Sequence, residues 1–347
     1  MKRKLAYFFV ACAILALYPA CAKQGTTEVN DANLRYWKAW VNTGKAEHPE
    51  YLWQKTPLGS YILESEGGEG APLGSDALVS YLSVYYTISD IDGNIVTSNR
   101  EEVAKQLGTY SESGYYDPAV WKRGAGSIPP GYDELISIMA PGQRIKAVLP
   151  GWLTETSYVV YKTEEEYVKN VSGTPYMLDI QVVSGIFDLD LYQRNQLVTA
   201  ARRLYGISLS EADTVSTGLY YIQLAEPTDT TAFTSGVTVQ VDYVGRFHTG
   251  RCFDTSVKDT AKVYHLYNSS STYSPLSVNW GDDASSITVG DQQTSLISGF
   301  QRALFKMKTG EKGAALFVSD LGYGGTGSGK VPGYSPLIFE IEVLGKK

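Results

Sequence analysis

The feature that most constrains this chain is that it repeats itself. Val84-Tyr85-Tyr86 followed by Asp92-Gly93-Asn94-Ile95-Val96-Thr97 returns as Val241-Asp242-Tyr243 followed by Thr249-Gly250-Arg251-Cys252-Phe253-Asp254, at an offset of 157. The offset holds without a gap: Ala104-Lys105 falls on Ala261-Lys262, Tyr110 on Tyr267, and Tyr116-Asp117-Pro118 on Tyr273-Ser274-Pro275. Further on, Gly131-Tyr132 matches Gly299-Phe300, Met139 matches Met307 and Gly142 matches Gly310, all at 168, so the second copy carries eleven extra residues between the blocks. The stretch from Pro175 to Val182 then parallels Pro336 to Val343. A solenoid repeats every ~20–50 residues, so a period this long implies two globular copies. Whatever fold one copy adopts, the chain must build twice.

Residue patterning gives that fold its class. Val237, Val239, Val241 and Tyr243 alternate with polar residues, as do Phe339, Ile341 and Val343, which is the period of a half-buried strand. Phe300, Leu304 and Met307 recur at helical spacing, and Lys308-Thr309-Gly310 supplies a basic residue and a glycine as a stop. The expected class is therefore α+β: two similar domains, each an antiparallel sheet wrapped on one short helix. Each copy is preceded by a further helix, over 32–43 (Leu34, Trp37, Trp40 and Val41 on one side) and 190–205 (Leu197, Ala201, Leu204). Flexible stretches are expected at 22–31, 66–74 and 226–235, and the division between copies near Gly185-Ile186, giving units 22–186 and 187–347.

The N-terminus reads as an export signal. Lys2-Arg3-Lys4 precede an apolar stretch from Leu5 to Leu17 that is too short to span a bilayer. Ala20-Cys21 then offers a cysteine where lipoprotein signals are cut and acylated, making residues 1–21 the signal peptide; ordinary cleavage after Ala22 is the alternative. The lipoprotein reading implies an exported chain anchored by its N-terminal lipid, with the outer membrane as the expected location. Cys12 lies in the signal, so only Cys252 remains in the body and no internal disulfide can form. Three histidines without a cysteine cluster leave no zinc spacing, and no metal or other cofactor is expected. The formal charge is −7, three positive charges of which sit in the signal; an acidic body without a basic run argues against nucleic acid as a partner.

The second copy resembles the FKBP family. The opening is Val241-Asp242-Tyr243-Val244-Gly245, then Gly250-Arg251-Cys252-Phe253-Asp254-Thr255-Ser256. The centre is Leu296-Ile297-Ser298-Gly299-Phe300, then Met307-Lys308-Thr309-Gly310-Glu311-Lys312. Tyr323-Gly324 and Leu337-Ile338-Phe339-Glu340-Ile341-Glu342 complete it, over residues 218–347. The resemblance implies two FKBP-like domains and, in the second, a peptidyl-prolyl cis–trans isomerase. It implies a proline pocket walled by Tyr243, Phe253, Ile297, Phe300 and Phe339, with Phe300 as floor and Leu296 and Val331 at the edges. It further implies that Tyr323 donates its hydroxyl to a peptide carbonyl and that Asp254 pairs with the Tyr243 hydroxyl. The sequence departs from the family in a long Tyr/Ser/Thr-rich loop over 255–285.

Those residue types suit that reaction. Amide resonance opposes rotation with a barrier of ~18–20 kcal/mol, yet the two X–Pro isomers are nearly balanced. No bond is broken, so a dry aromatic hollow that favours the twisted amide can suffice. In the first copy Phe253 becomes Val96, Asp254 becomes Thr97, Ile297 becomes Pro129, Phe300 becomes Tyr132 and Phe339 becomes Leu178, so no isomerase activity is expected there, and no counterpart of Tyr323 is evident between Trp152 and Tyr161. Gly324 to Lys330 spells the start of a phosphate loop, but Val331 follows where a Mg²⁺-binding hydroxyl is needed. Two functions of different class remain: an isomerase acting on proline-containing exported proteins, or a non-catalytic chaperone or docking module holding chains in the same pockets.

Overall fold

The computed structural model describes residues 26–76, 78–124, 127–155, 166, 169 and 173–347. The signal peptide with Cys12 and Cys21, and most of the stretch searched for a Tyr323 counterpart, lie outside the described residues. The repeat in the sequence becomes a repeat in hydrogen-bond register. The first sheet runs, in spatial order, Gln54–Lys55, Tyr61–Glu66, Arg144–Leu149, Tyr176–Ile186, Tyr81–Asp90, Ile95–Ser98, with Ala119–Lys122 also paired to Tyr81–Asp90. The second runs Thr294–Ser295, Thr288–Val289, Leu276–Asn279, Thr238–Phe247, Leu337–Lys346, Lys312–Phe317, Leu219–Ala225, Asp213–Ser216, with Cys252–Thr255 also paired to Thr238–Phe247. The pairings are antiparallel in both. Even the bulges correspond: Ser83/Val84 and Ile88/Ser89 in the first copy fall at Gln240/Val241 and Gly245/Arg246 in the second. A bulge bends and twists its strand, so two shared bulges give both sheets the same curl.

Each sheet wraps one short helix, Pro130–Ile138 or Ser298–Lys306. In the second, Phe300, Ala303, Leu304 and Met307 are buried against the strands, forming the core with Val241, Phe317, Phe339 and Ile341. The helix lies so close to the sheet that a Cβ on Gly299 would meet the Phe317 ring at 2.5 Å; Gly131 is held in the same way by Leu149 at 2.6 Å. The eleven extra residues of the second copy build a short turn, Ala284–Ser286, and the hairpin Thr288–Val289/Thr294–Ser295. Gln301 ties this addition to the helix by donating to the Ile287 carbonyl at 2.8 Å.

Two expectations need correction. The stretch 255–285 is not a plain loop: it contains the helix Lys258–Val263 and the strand Leu276–Asn279. The first copy has the same elements, Glu101–Gln106 and Ala119–Lys122, so this excursion belongs to both copies. The stretch 22–31 is helical from Thr26, because the first helix, Thr26–Glu47, is longer than its apolar stripe of Leu34, Trp37 and Val41 suggests. The second preceding helix, Leu189–Tyr205, opens on Asp188, whose carboxylate accepts from the Leu191 N–H at 2.9 Å, and closes on Gly206 in the left-handed region.

The copies meet along this second helix and along a hook, residues 109–117, that reaches out of the first copy. Tyr110 and Tyr116 stack in the hook, 5.4 Å apart, and the Tyr116 hydroxyl accepts from the Ser111 N–H. Arg251 of the second copy lies over both rings, donates to the Tyr110 hydroxyl at 3.1 Å and pairs with Glu101 at 2.5 Å. His248 is largely buried beside this contact, near the Tyr115 ring and 3.4 Å from the Gln196 amide nitrogen, while Arg203 donates to its carbonyl. Burial, reinforced by the Arg203 charge, lowers the His248 pKa from 6.5 to about 4. Below pH 6.5 the unfolded chain takes up a proton that the folded chain refuses until about pH 4, so stability falls as pH drops through that window. Denaturant melts at pH 7 and pH 4.5 are expected to show about 2 kcal/mol less acid destabilisation in His248→Gln than in the parent. Equal losses in the two proteins would remove His248 from the account.

Candidate functional site

Two neighbouring strands and a helix bring the aromatic residues together. Tyr243 projects from Thr238–Phe247, Phe339 from Leu337–Lys346, and Phe300 from the first turn of Ser298–Lys306. Tyr243 and Phe300 meet edge to face at 6.2 Å, Phe300 and Phe339 edge to face at 5.3 Å, and Tyr243 and Phe339 at 6.0 Å. Phe253, on the strand Cys252–Thr255, meets Phe339 edge to face at 5.7 Å. This geometry favours ring pairs through their quadrupoles. Gly245 makes it possible: a Cβ there would stand 2.8 Å from the Phe253 ring and 3.1 Å from Phe339.

A cavity of about 420 Å³ opens beside these rings, lined by Tyr243, Phe253 and Asp254 on one side. The Tyr243 hydroxyl donates to Asp254 Oδ2 at 2.7 Å, and Asp254 Oδ1 accepts from the Thr255 N–H at 2.9 Å. Burial first, then the hydrogen bond and charge of Asp254, push the Tyr243 pKa well above the usual phenol range. Burial, with a further push from Asp254, also raises that of Tyr323. Both hydroxyls therefore remain protonated donors at neutral pH. Ile297, Leu296, Tyr323 and Val331 pack on the same core cluster without lining the cavity, as do Phe300 (2% exposed) and Phe339 (5%) behind the wall. Cys252 is buried and burial pushes its thiol up to about 11, so it presents no thiolate.

The far side of the cavity is polar and escaped the sequence reading as a site. It is a second hook, lined by Leu266, Asn268, Tyr273 and Leu276, with Lys330 at the rim. Tyr267 and Tyr273 stack at 5.6 Å, and the Tyr273 hydroxyl accepts from the Asn268 N–H at 2.9 Å, repeating Tyr110, Tyr116 and Ser111 of the first copy. The signal was in the repeat, which keeps both tyrosines at the 157-residue offset.

The equivalent hollow of the first copy is arranged differently. Tyr86 and Tyr132 stand where Tyr243 and Phe300 do, but Trp121 stacks on Tyr132 at 5.6 Å and meets Tyr86 at 5.0 Å. Trp121 pairs with Leu82 as Val278 pairs with Val239, so an indole replaces an isopropyl group at one register position. Leu178 is fully buried at the Phe339 position, Pro129 caps the helix as Ile297 does, and Val96 and Thr97 lie exposed on the edge strand. Among the described residues no group of three or more His, Cys, Asp or Glu is placed to hold a metal ion, and no helix is long and apolar enough to cross a membrane.

A curled antiparallel sheet over one helix, with a ring-walled hollow and a carboxylate bonded to a tyrosine at its mouth, defines an α+β domain with an aromatic cleft. Comparison with known proteins sharpens this. Residues 229–344 match the sequence family described as FKBP-type peptidyl-prolyl cis-trans isomerase. The "FK506-binding protein 1" of Aspergillus oryzae is 31% identical over 105 residues, 30% of this chain and 81% of that one. Solved structures with a likeness include the three FKBP domains of wheat FKBP73 (15% identity, 83% of this chain and 94% of that one, TM-score 0.29). Another is a peptidyl-prolyl cis-trans isomerase of Pseudomonas syringae pv. tomato (24% identity, 46% and 93%, TM-score 0.30). The chain belongs to the FKBP family of peptidyl-prolyl cis–trans isomerases.

Proposed function

We propose that isomerisation takes place in the 420 Å³ cavity of the second copy, residues 187–347, on X–Pro bonds of exported proteins. Tyr243 and Phe253 face the proline ring in that cavity, Phe300 and Phe339 back them, and Ile297, Leu296 and Val331 pack on the same cluster around the wall. Tyr323 donates to a peptide carbonyl, and Asp254 fixes the Tyr243 hydroxyl while its own charge faces the turning amide. A twisted amide has lost resonance and carries less charge on oxygen, so a water-poor wall tolerates it better than the planar form and lowers the barrier. The observation that carries this reading is the convergence of Tyr243, Phe253, Phe300 and Phe339 beside the Tyr243–Asp254 bond.

The first copy, residues 22–186, is a degenerate relative without turnover: Trp121 stacks over Tyr132, the counterpart of Phe300, and Thr97 supplies no carboxylate. Residues 1–21 are a signal peptide, and acylated Cys21 anchors the chain, with the outer membrane as its place; the mass of the mature N-terminus checks this against cleavage after Ala22. The test of the activity is isomerisation of a short X–Pro peptide by the full chain. The parent is expected to turn over, and Asp254→Ala to lose about ten-fold in kcat/KM. A parent that binds such peptides without accelerating exchange would leave a chaperone or docking protein instead.

A further inference from the structure

We infer that Tyr115 and Ser113, in the hook of the first copy, are positioning residues for the isomerase site of the second. This rests on the functional reading above and extends it: the inactive copy is a working part of the active one's pocket. Phe253 forms the cavity wall, and its ring packs against Phe247, 4.9 Å away. Phe247 is fully buried, and the ring that covers it edge to face at 5.1 Å is Tyr115. The wall is thus a relay of rings that starts in the other copy, and Tyr115 packs against the second copy's core cluster.

The contact is repeated at the other edges of the site. Arg251, two residues before Phe253 and three before Asp254, is clamped by Tyr110, Tyr116 and Glu101, which fixes the hairpin that carries both. At the rim, the Lys330 ammonium donates to Ser113 Oγ at 2.6 Å, and Ser113 is itself 1% exposed and bonded to Ser111 Oγ at 2.8 Å. The same loop, which also carries Val331, is pinned farther on, where Tyr334 meets Tyr81 edge to face at 5.2 Å. The hairpin, the rim lysine and the loop beyond it are all held from outside the domain that performs the reaction. Displacements of ~1 Å in a positioned group can cost ~10²-fold in rate, so a buttress of this kind bears on turnover as well as on stability.

The experiment uses the full chain with short X–Pro peptides. Tyr115→Ala leaves Phe247 uncovered and is expected to lower kcat/KM about ten-fold, while Tyr115→Phe, which keeps the ring and loses only the hydroxyl bond to the Pro118 carbonyl, stays within about two-fold of the parent. Ser113→Ala frees the Lys330 ammonium at the cavity rim. It is expected to change KM about three-fold for a peptide with Glu beside the proline relative to one with Lys, at unchanged kcat. Turnover by Tyr115→Ala equal to the parent's overturns the inference. Should that variant not fold, Ser113→Ala decides, and an unchanged Glu/Lys ratio overturns it. A parent without turnover would instead count against the functional reading itself.

Discussion

Phe253→Ala is expected to lower kcat/KM for a short X–Pro peptide about 10²-fold in an otherwise folded chain. Phe253, like Tyr243, belongs both to the cavity wall and to the aromatic cluster, and it meets Phe339 at 5.7 Å and Phe247 at 4.9 Å. Its loss admits water to the place where the amide must twist, and water restores the advantage of the planar, more polar form. Because the residue is half-buried on an edge strand, the fold survives the change better than the site does. Steady-state kinetics with urea melts of the same samples check this; a turnover within about two-fold of the parent would show that the proline ring binds elsewhere.

Phe339→Ala is expected to act mainly on stability, with a loss of about 3–5 kcal/mol. Phe339 is 5% exposed and meets Tyr243, Phe253, Phe300 and Phe317, the last stacked at 5.9 Å. No other ring near the site has as many described ring partners, so truncation leaves a void lined by four aromatic faces that cannot collapse together. Equilibrium unfolding in urea measures the loss, and a value under about 1 kcal/mol would mean that the four rings close over the gap.

The sequence carried the fold because the repeat doubled every weak signal. Alternation at Val237 to Tyr243 alone fits many sheets, but a matching segment at a constant offset of 157, followed by matching blocks downstream, leaves little freedom. The helix Lys258–Val263 was invisible for a physical reason: over six residues it buries only Ala261, so it has no apolar stripe to read. Tyr243, Phe300 and Phe339 were legible because strand alternation and helical spacing point them inward, whereas Phe253 was placed only by the resemblance to the FKBP family. The polar wall and its hook were not legible, since Asn268, Ser271 and Thr272 have no periodicity and take their place from the Tyr267–Tyr273 stack. The contact between copies was equally hidden. Arg251 and Glu101 lie 150 residues apart, and nothing in either segment names the other as its partner.

Gly245 has a consequence for how two such copies can drift apart. Its counterpart in the first copy is Ile88, which pairs with Leu178 and Thr97 as Gly245 pairs with Phe339 and Asp254. A bare backbone accompanies a large ring in one copy, and a branched side chain accompanies Val96 in the other. A phenyl group at position 96 could take the seat that Phe253 has only with Ile88 trimmed as well, because a side chain at the Gly245 position stands against that ring. The seat of that ring therefore depends on two positions at once, and a single substitution in the first copy does not rebuild it.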